Sequence, residues 1–236
     1  MLPVIILAGG RGTRIRPLTE SLPKSLVPIL GKPFLEWQLD LLEQNGVRDV
    51  TICVSYKSEL INAFIRGNLS GRLKIDLVED GDSQLGTGGA IVGALKSVGK
   101  KFMVIYGDSY LPFGIREAAD FFMTSETLSL MTVIKADKVG LKGNAVYRNN
   151  LVVEYEKNTN NPSMQYLDYG LNFFQADAFK GFEKNTYIDL SQIQSSLALA
   201  RQLSGFEVEN RFYEIGSMQG IKELTDYLGV QNNGFH

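Results

Sequence analysis

Val4-Ile5-Ile6-Leu7-Ala8-Gly9-Gly10-Arg11-Gly12-Thr13-Arg14 is the stretch from which the rest of the chain is read. Four apolar residues, from Val4 to Leu7, make a short buried strand. Glycines follow it directly, and without Cβ atoms in the way their backbone N–H groups approach and point at phosphate oxygens. The pattern is neither G-x-x-x-x-G-K-[ST] nor G-x-G-x-x-G, so ATPase and hydride-transfer readings lose support. Glycines alone also read as a tight strand-to-helix turn. Two cations strengthen the polyphosphate reading: Arg14, and Lys24, whose backbone is constrained by Pro23 and Pro28.

Outward from this turn, β-branched runs alternate with amphipathic stretches, the pattern of βαβ units. Phe34 to Gln44 predicts a helix that ends at Gly46, Val50 to Val54 a second strand, and Ser58 the cap of a helix carrying Leu60, Ile61, Phe64 and Ile65. Leu73 to Val78, Phe102 to Tyr106 and Leu128 to Ile134 read as further strands, with helices over about Gly89 to Ser97 and Ile115 to Met123. The second half changes character. Asn144 to Tyr147 and Leu151 to Glu156, joined at Asn149-Asn150, predict an antiparallel hairpin, and Leu171 to Phe174 a short strand. Helices follow over Leu190 to Arg201 and near Gly220 to Leu228. The expectation is an α/β fold: a doubly wound, mixed, mainly parallel sheet with a small antiparallel extension. Residues 1–230 read as one domain, with a nucleotide half over about 1–135 and an acceptor half over about 136–230, and residues 231–236 read as a loose tail.

At 236 residues and 44% hydrophobic content, the chain has enough apolar residues for one sizeable core. Lys and Arg total 24 against 26 for Asp and Glu, so no net field draws it to nucleic acid or to an anionic membrane. Cys53 is the sole cysteine and lies in the apolar run Thr51 to Val54, which argues for a reduced, buried thiol. The run Leu2 to Leu7 is too short for a signal segment or a membrane span, so a cytoplasmic protein is expected. His236 is both the only histidine and the last residue, which argues against mechanisms built on a histidine base or a phosphohistidine. No sequence signature specifies an oligomeric state.

Two further features bear on chemistry. Leu85-Gly86-Thr87-Gly88-Gly89-Ala90 stands between a strand and a helix start, where free N–H groups and the helix dipole favour anions or polar ligand edges. Gly107-Asp108 closes the apolar strand Phe102 to Tyr106, placing a carboxylate where open α/β sheets bind ligands. Mg²⁺ prefers hard oxygen ligands and commonly bridges one or two carboxylates to phosphates, so Asp108 is the first candidate metal ligand.

The ordered set Leu7 through Thr19, Pro23-Lys24-Ser25-Leu26-Val27-Pro28 and Gly31-Lys32-Pro33 resembles the signature of the sugar-1-phosphate nucleotidyltransferases. The resemblance implies a Rossmann-like nucleotidyltransferase fold, a nucleoside triphosphate and a sugar 1-phosphate as substrates, and Mg²⁺ as cofactor. It places Leu7, Gly9, Gly10, Gly12, Thr13, Arg14 and Lys24 at the triphosphate, with Arg14 and Lys24 catalytic. It places Gly86 and Thr87 beside base and ribose, with Glu79 reading the base edge. Tyr213-Glu214-Ile215-Gly216-Ser217 is similar to the family's late metal motif but carries Glu for Asp and Ser for Thr. Glu214, one methylene longer, reaches the ion only from a backbone that stands back, or through water. Gly143, Glu156, Lys157, Asp168 and Gly170 match acceptor-side positions, Lys157 holding the sugar phosphate. Here Asn158 replaces a common proline, Asp168 a favoured Asn and Tyr169 a small residue. The match is strong to about Asp108 and patchy beyond it.

Short guanylyl-, uridylyl- and cytidylyltransferases for sugar phosphates, heptose-1-phosphate guanylyltransferases among them, are the most similar subgroup, which leans the donor toward GTP. One alternative is a cytidylyltransferase for a non-sugar phosphate such as phosphocholine, with Tyr166, Tyr169 and Phe173 available to cage a quaternary ammonium. The other is a catalytically silent nucleotide-sugar sensor, which the intact Arg14, Lys24 and Asp108 disfavour and Glu214 supports.

Overall fold

The computed structural model describes residues 1–68, 73–80 and 84–233. Strand β1 (Val4–Leu7) leads into a 3-10 turn over Thr13–Ile15, the short helix α1 (Leu18–Ser21) and a second 3-10 turn over Lys24–Leu26. The two-residue strands β2 (Pro28–Ile29) and β3 (Lys32–Pro33) deliver α2 (Phe34–Gln44), which is followed by β4 (Asp49–Val54), α3 (Ser58–Asn68) and β5 (Lys74–Glu79). Next come α4 (Gly86–Val98), β6 (Lys101–Tyr106), β7 (Ser109–Tyr110), α5 (Ile115–Thr124), β8 (Ser129–Lys135) and α6 (Ala136–Val139). The second half contains β9 (Ala145–Arg148), β10 (Leu151–Tyr155), β11 (Tyr166–Gln175), α7 (Leu190–Leu199), β12 (Leu203–Glu207), β13 (Tyr213–Glu214) and α8 (Met218–Asn233).

Nine strands form one mixed sheet in the order β5-β4-β1-β6-β11-β8-β12-β10-β9. β5, β4, β1 and β6 are mutually parallel, and β12 is parallel to β8. Only β11 and β10 run against the rest, each pairing antiparallel with its neighbours. The sheet is therefore mixed and mainly parallel. The β9–β10 pair is the expected antiparallel hairpin, with a register shift between Val152 and Glu154.

Period-2 alternation in the strands explains the double winding. Val4 and Ile6 join the core made with α2 and α5 through Leu35, Leu39, Leu42, Ile115 and Phe122. Ile5 and Cys53 face the opposite side, against Ile91 and Ala94 of α4 and Ile193 and Leu197 of α7. A smaller cluster of Ile29, Phe34, Tyr110, Ile215, Leu224 and Leu228 seats α8.

Several boundaries differ from expectation for identifiable reasons. The strand read as Leu171 to Phe174 is ten residues long, because β11 lies between β6 and β8 and its polar residues are satisfied inside the molecule. β12 carries Ser204 and Gly205 in an otherwise short apolar run, and its pairing with β8 on one side and β10 on the other makes it a strand. α4 begins at Gly86 rather than Gly89 because a neighbouring carbonyl caps its first turn. The expected loose tail is corrected in part: 231–233 continue α8, whose buried seam Leu224 and Leu228 holds the helix down, while 234–236, with His236, lie outside the described residues. No helix among the described residues is long and apolar enough to cross a membrane.

Candidate active site

The carboxyl ends of β1, β4, β5 and β6 open onto a cavity of about 390 Å³. Every residue assigned above to the nucleotide lines it except Glu79, and Asp108 lines it too. At its phosphate-loop side Gly12 adopts φ +63°, a left-handed conformation that glycine takes without strain. A Cβ there would sit 2.7 Å from Thr19 Cγ2, and the Thr19 hydroxyl donates to the Gly12 carbonyl at 2.8 Å. The turn is thus clamped from behind and presents its open face to the cavity.

Beside the turn, where a Cβ on Gly12 would come within 3.2 Å of the Lys24 stem, Lys24 Nζ donates to Asp108 Oδ2 at 2.6 Å. A Cβ on Gly216 would come within 3.0 Å of Lys24 Nζ and 3.1 Å of the Arg14 guanidinium, so both cations converge beside that glycine. Glu214 is brought next to Asp108 by strand pairing: β13 pairs with β7 and the Ile215 amide donates to the Asp108 carbonyl at 3.0 Å. Its carboxylate is turned into its own loop, accepting from the Gly216 amide and from the Ser217 hydroxyl, while Ser217 caps α8 by accepting from the Gly220 amide. No cluster of three or more acidic, histidine or cysteine ligands occurs among the described residues. A single partly exposed carboxylate facing a phosphate-sized cavity still suits Mg²⁺, which takes most of its remaining ligands from phosphates and water.

The second glycine cluster behaves differently from expectation. The Gly88 and Gly89 amides donate to the Ile188 carbonyl at 2.8 and 3.2 Å, and the Ile188 amide donates to the Leu85 carbonyl at 2.9 Å. Those helix-end donors are therefore occupied by protein. Gly86 at φ +71° is required because a Cβ would lie 2.5 Å from the Ile188 carbonyl oxygen. Gly86 and Thr87 remain on the cavity wall.

None of the acceptor-side residues lines this cavity. Lys157 Nζ is 2.9 Å from Asp189 Oδ2, and Asp189 Oδ1 accepts from the Ser191 amide at 2.9 Å and from the Thr87 hydroxyl at 3.5 Å. Burial opposes ionisation of Asp189, yet the Ser191 amide and the Lys157 ammonium hold its carboxyl below the usual range. Asp168 accepts from the Gly170 amide at 2.9 Å, the Asn172 side-chain amide at 3.2 Å and the Tyr106 hydroxyl at 3.3 Å. Burial nonetheless pushes its carboxyl up. Because every one of these partners donates, a carboxylate suits the network. A Cβ on Gly170 would sit 3.4 Å from the Ser109 hydroxyl, beside Asp108. Gly143 lies where any Cβ would collide with the Met164 carbonyl, which accounts for the glycine by packing. Glu156 is exposed.

Glu79 is exposed at the end of β5, and the next residue, Asp80, faces the cavity in its place. Strand alternation is the reason, since adjacent side chains leave on opposite faces. Asp80 Oδ1 and the Ser25 hydroxyl are buried and have no hydrogen-bond partner among the described residues, and both residues line the cavity. Unpaired buried polar atoms are uncommon and ask for a ligand or a functional reason. Tyr169 and Phe173 are fully buried, Tyr169 edge-on to Phe113 and Phe212, so the three aromatics form no cage for a quaternary ammonium.

A strand-borne glycine turn, two converging cations and an acid on the neighbouring strand define a nucleotide-handling α/β protein. The chain belongs to the nucleotidyl transferase family, whose match spans residues 3–195. It is 27% identical over 232 residues to the bifunctional protein GlmU of Methanocaldococcus jannaschii, covering 96% of this chain and 54% of that protein. It is 37% identical over 110 residues to the D-glycero-alpha-D-manno-heptose 1-phosphate guanylyltransferase of Campylobacter jejuni, covering 46% of this chain and 48% of that protein. The chain thus spans about half the length of these curated relatives. HddC from Yersinia pseudotuberculosis, complexed with GMP-PN, shares the fold with a TM-score of 0.81 at 24% identity, covering 97% of this chain and all of the other (100%). The inositol-1-phosphate CTP transferase from T. maritima also gives 0.81, at 22% identity, covering 96% and 95% of the two chains.

Proposed function

We propose that this chain transfers a nucleotidyl group from a nucleoside triphosphate, GTP favoured, to a sugar 1-phosphate, releasing pyrophosphate and leaving a nucleotide-activated sugar. The observation that carries the reading is the convergence of Arg14 and Lys24 beside Asp108, at one end of the cavity that the glycine turn lines.

In this reading one oxygen of the sugar 1-phosphate attacks the α-phosphorus in line. The bond from that phosphorus to the bridging oxygen breaks, and pyrophosphate leaves with the electron pair. A phosphate monoester loses its second proton near pH 6, about one unit below neutrality, so the attacking oxygen is already anionic and needs no general base. The protein's tasks are to orient two mutually repelling anions and to stabilise charge growing at the α-phosphate. The amides of Gly9, Gly10 and Gly12, with Leu7 and Thr13, shape the triphosphate site. Arg14 contacts the phosphates, and Lys24 exchanges Asp108 for the α-phosphate oxygens. Gly86 and Thr87 flank base and ribose. Lys157 holds the acceptor phosphate, and Gly143, Glu156, Asp168 and Gly170 form the sugar side. Asp108 would hold Mg²⁺, with Glu214 as second acid once its carboxylate turns out of its own loop, and the ion would neutralise phosphate charge. The reaction is placed in the cytoplasm, with which a reduced, buried Cys53 agrees.

Pyrophosphate release assayed with a panel of triphosphates and sugar 1-phosphates, with and without Mg²⁺, tests the proposal. Release that needs both substrates supports it; the absence of turnover with every pair overturns it.

A further inference from the structure

Asp108 is presented by the turn from Tyr106 to Ser109 that joins β6 to β7. Two backbone groups of that turn are fixed by neighbouring chain: the Gly107 amide donates to the Leu7 carbonyl, and the Ile215 amide donates to the Asp108 carbonyl, both at 3.0 Å. Gly107 is also where the end of β6 presses against β1, since a Cβ there would lie 2.6 Å from the Leu7 carbonyl oxygen. The carbonyls on either side, of Tyr106 and Ser109, both accept from one side chain: Gln38 Nε2 donates to them at 3.0 and 2.7 Å. A single amide nitrogen on α2 thus bridges the two ends of the turn that carries the proposed metal ligand.

Gln38 is 2% exposed, and the other buried residues of α2, Phe34, Leu35, Leu39 and Leu42, are all apolar. Its Oε1 is buried with no hydrogen-bond partner among the described residues. A buried amide oxygen without a partner costs stability, so an apolar side chain would suit this helix face better unless the nitrogen is needed. That nitrogen has two protons, and the two carbonyls bracketing Asp108 take them. From this turn the Asp108 carboxylate reaches Lys24 Nζ, 2.6 Å away, on the cavity wall.

We infer that Gln38 is a positioning residue for the reaction proposed above: by bridging the Tyr106 and Ser109 carbonyls it holds the turn in the shape that directs the Asp108 carboxylate at the bound phosphates and their cation. This rests on the nucleotidyl-transfer reading and adds to it a residue outside the cavity on which the acid depends.

Equilibrium binding of the triphosphate that the wild type prefers among GTP, ATP, UTP, CTP and dTTP, in excess Mg²⁺ and in EDTA, gives the gain in affinity that the cation confers. Gln38→Met keeps the length of the side chain and removes both donors. Its affinity in EDTA should match the wild type, and its gain should fall by at least about 10-fold, the lower end of the range for groups that orient a metal ligand. In an Asp108→Asn background, which lacks the ligand, Gln38→Met should cause no further loss of gain. Leu42→Ala opens a cavity against the same helix and should lower Tm while leaving the gain unchanged. Should Gln38→Met fail to fold by far-UV circular dichroism, Gln38→His, which keeps a single N–H donor, replaces it and should lose part of the gain. A wild-type gain in the folded Gln38 variant, or an equal loss in Leu42→Ala, makes Gln38 purely structural and overturns the inference while nucleotidyl transfer stands. An undiminished effect of Gln38→Met in the Asp108→Asn background does the same, as does a wild type that binds triphosphate with no gain from Mg²⁺. A wild type that binds none of the five triphosphates overturns both.

Discussion

Lys24 Nζ lies 2.6 Å from Asp108 Oδ2, with the lysine side chain 11% exposed and the aspartate 34%. The proposed triphosphate contact and the proposed metal ligand therefore neutralise each other in the free protein. In the proposed reaction, entry of an anionic phosphate would give Lys24 a new partner and free the carboxylate for a cation, so the two events would favour each other.

Lys24→Ala removes the charge without opening the core. We expect kcat for pyrophosphate release to fall by about 10²- to 10³-fold, the range for losing one donor to developing charge, while far-UV circular dichroism is unchanged. Near-wild-type turnover in this variant would show that Lys24 is not catalytic.

The Lys157–Asp189 pair is half-exposed and ties the acceptor-side lysine to the N-cap of α7. Asp189→Asn retains a good capping residue and removes the charge that holds Lys157. An exposed ion pair contributes about 0.2–1 kcal/mol, so KM for the sugar phosphate should rise by up to about fivefold, with kcat and KM for the triphosphate unchanged. Asp189→Ala also loses the cap, about 1 kcal/mol, and should lower Tm by about 2–4 °C. Equal KM values for the wild type and Asp189→Asn would assign Asp189 to capping alone.

Burial raises the Asp80 carboxyl above its ordinary value of 3.8. The folded chain then holds that proton more tightly than the unfolded one, so the group's contribution to stability is fullest below 3.8 and is lost as pH rises through the raised value. At pH 7, Asp80→Asn should be at least as stable as the wild type to urea, and the gap should close as the pH is lowered toward the ordinary value. A variant less stable at pH 7 would mean that the hydrogen bond from the Leu85 amide outweighs the cost of burying the carboxylate.

Gly86→Ala forces a Cβ to 2.5 Å from the Ile188 carbonyl at φ +71°. The expected cost is about 1–3 kcal/mol, read from denaturant midpoints, with weakened nucleotide binding because the wall formed by residues 85–89 shifts. Gly10→Ala, where a Cβ meets nothing within 4 Å, is the comparison and should be nearly neutral for stability.

Burial, with Asp80 adding to it, pushes the Cys53 thiol up to about 12. Thiol reagents at pH 8 should leave it unmodified in the folded chain and react with it fully in denaturant. Rapid labelling without denaturant would mean that the wall between β4 and α4 opens.

The triphosphate end of the candidate site is legible along the chain because it is local: β1, its glycine turn, Arg14 and Lys24 occupy one short span, and turn chemistry needs only neighbouring residues. The same holds for α2, whose apolar periodicity reports which face is buried, and for β4 and β6, whose continuous apolar runs report burial on both faces. Glu79 and Asp80 mark where that kind of reading stops, since adjacent acids differ only in the face on which the end of β5 presents them. Likewise, nothing near Gly88 reveals that its amide is taken by Ile188, a hundred residues on. β11 became one long strand, and Glu214 a loop-directed acid beside Asp108, through pairings with distant segments. Local rules settle which backbone shapes are available; long-range packing settles which side chains then meet, because those contacts join parts of the chain that carry no record of each other.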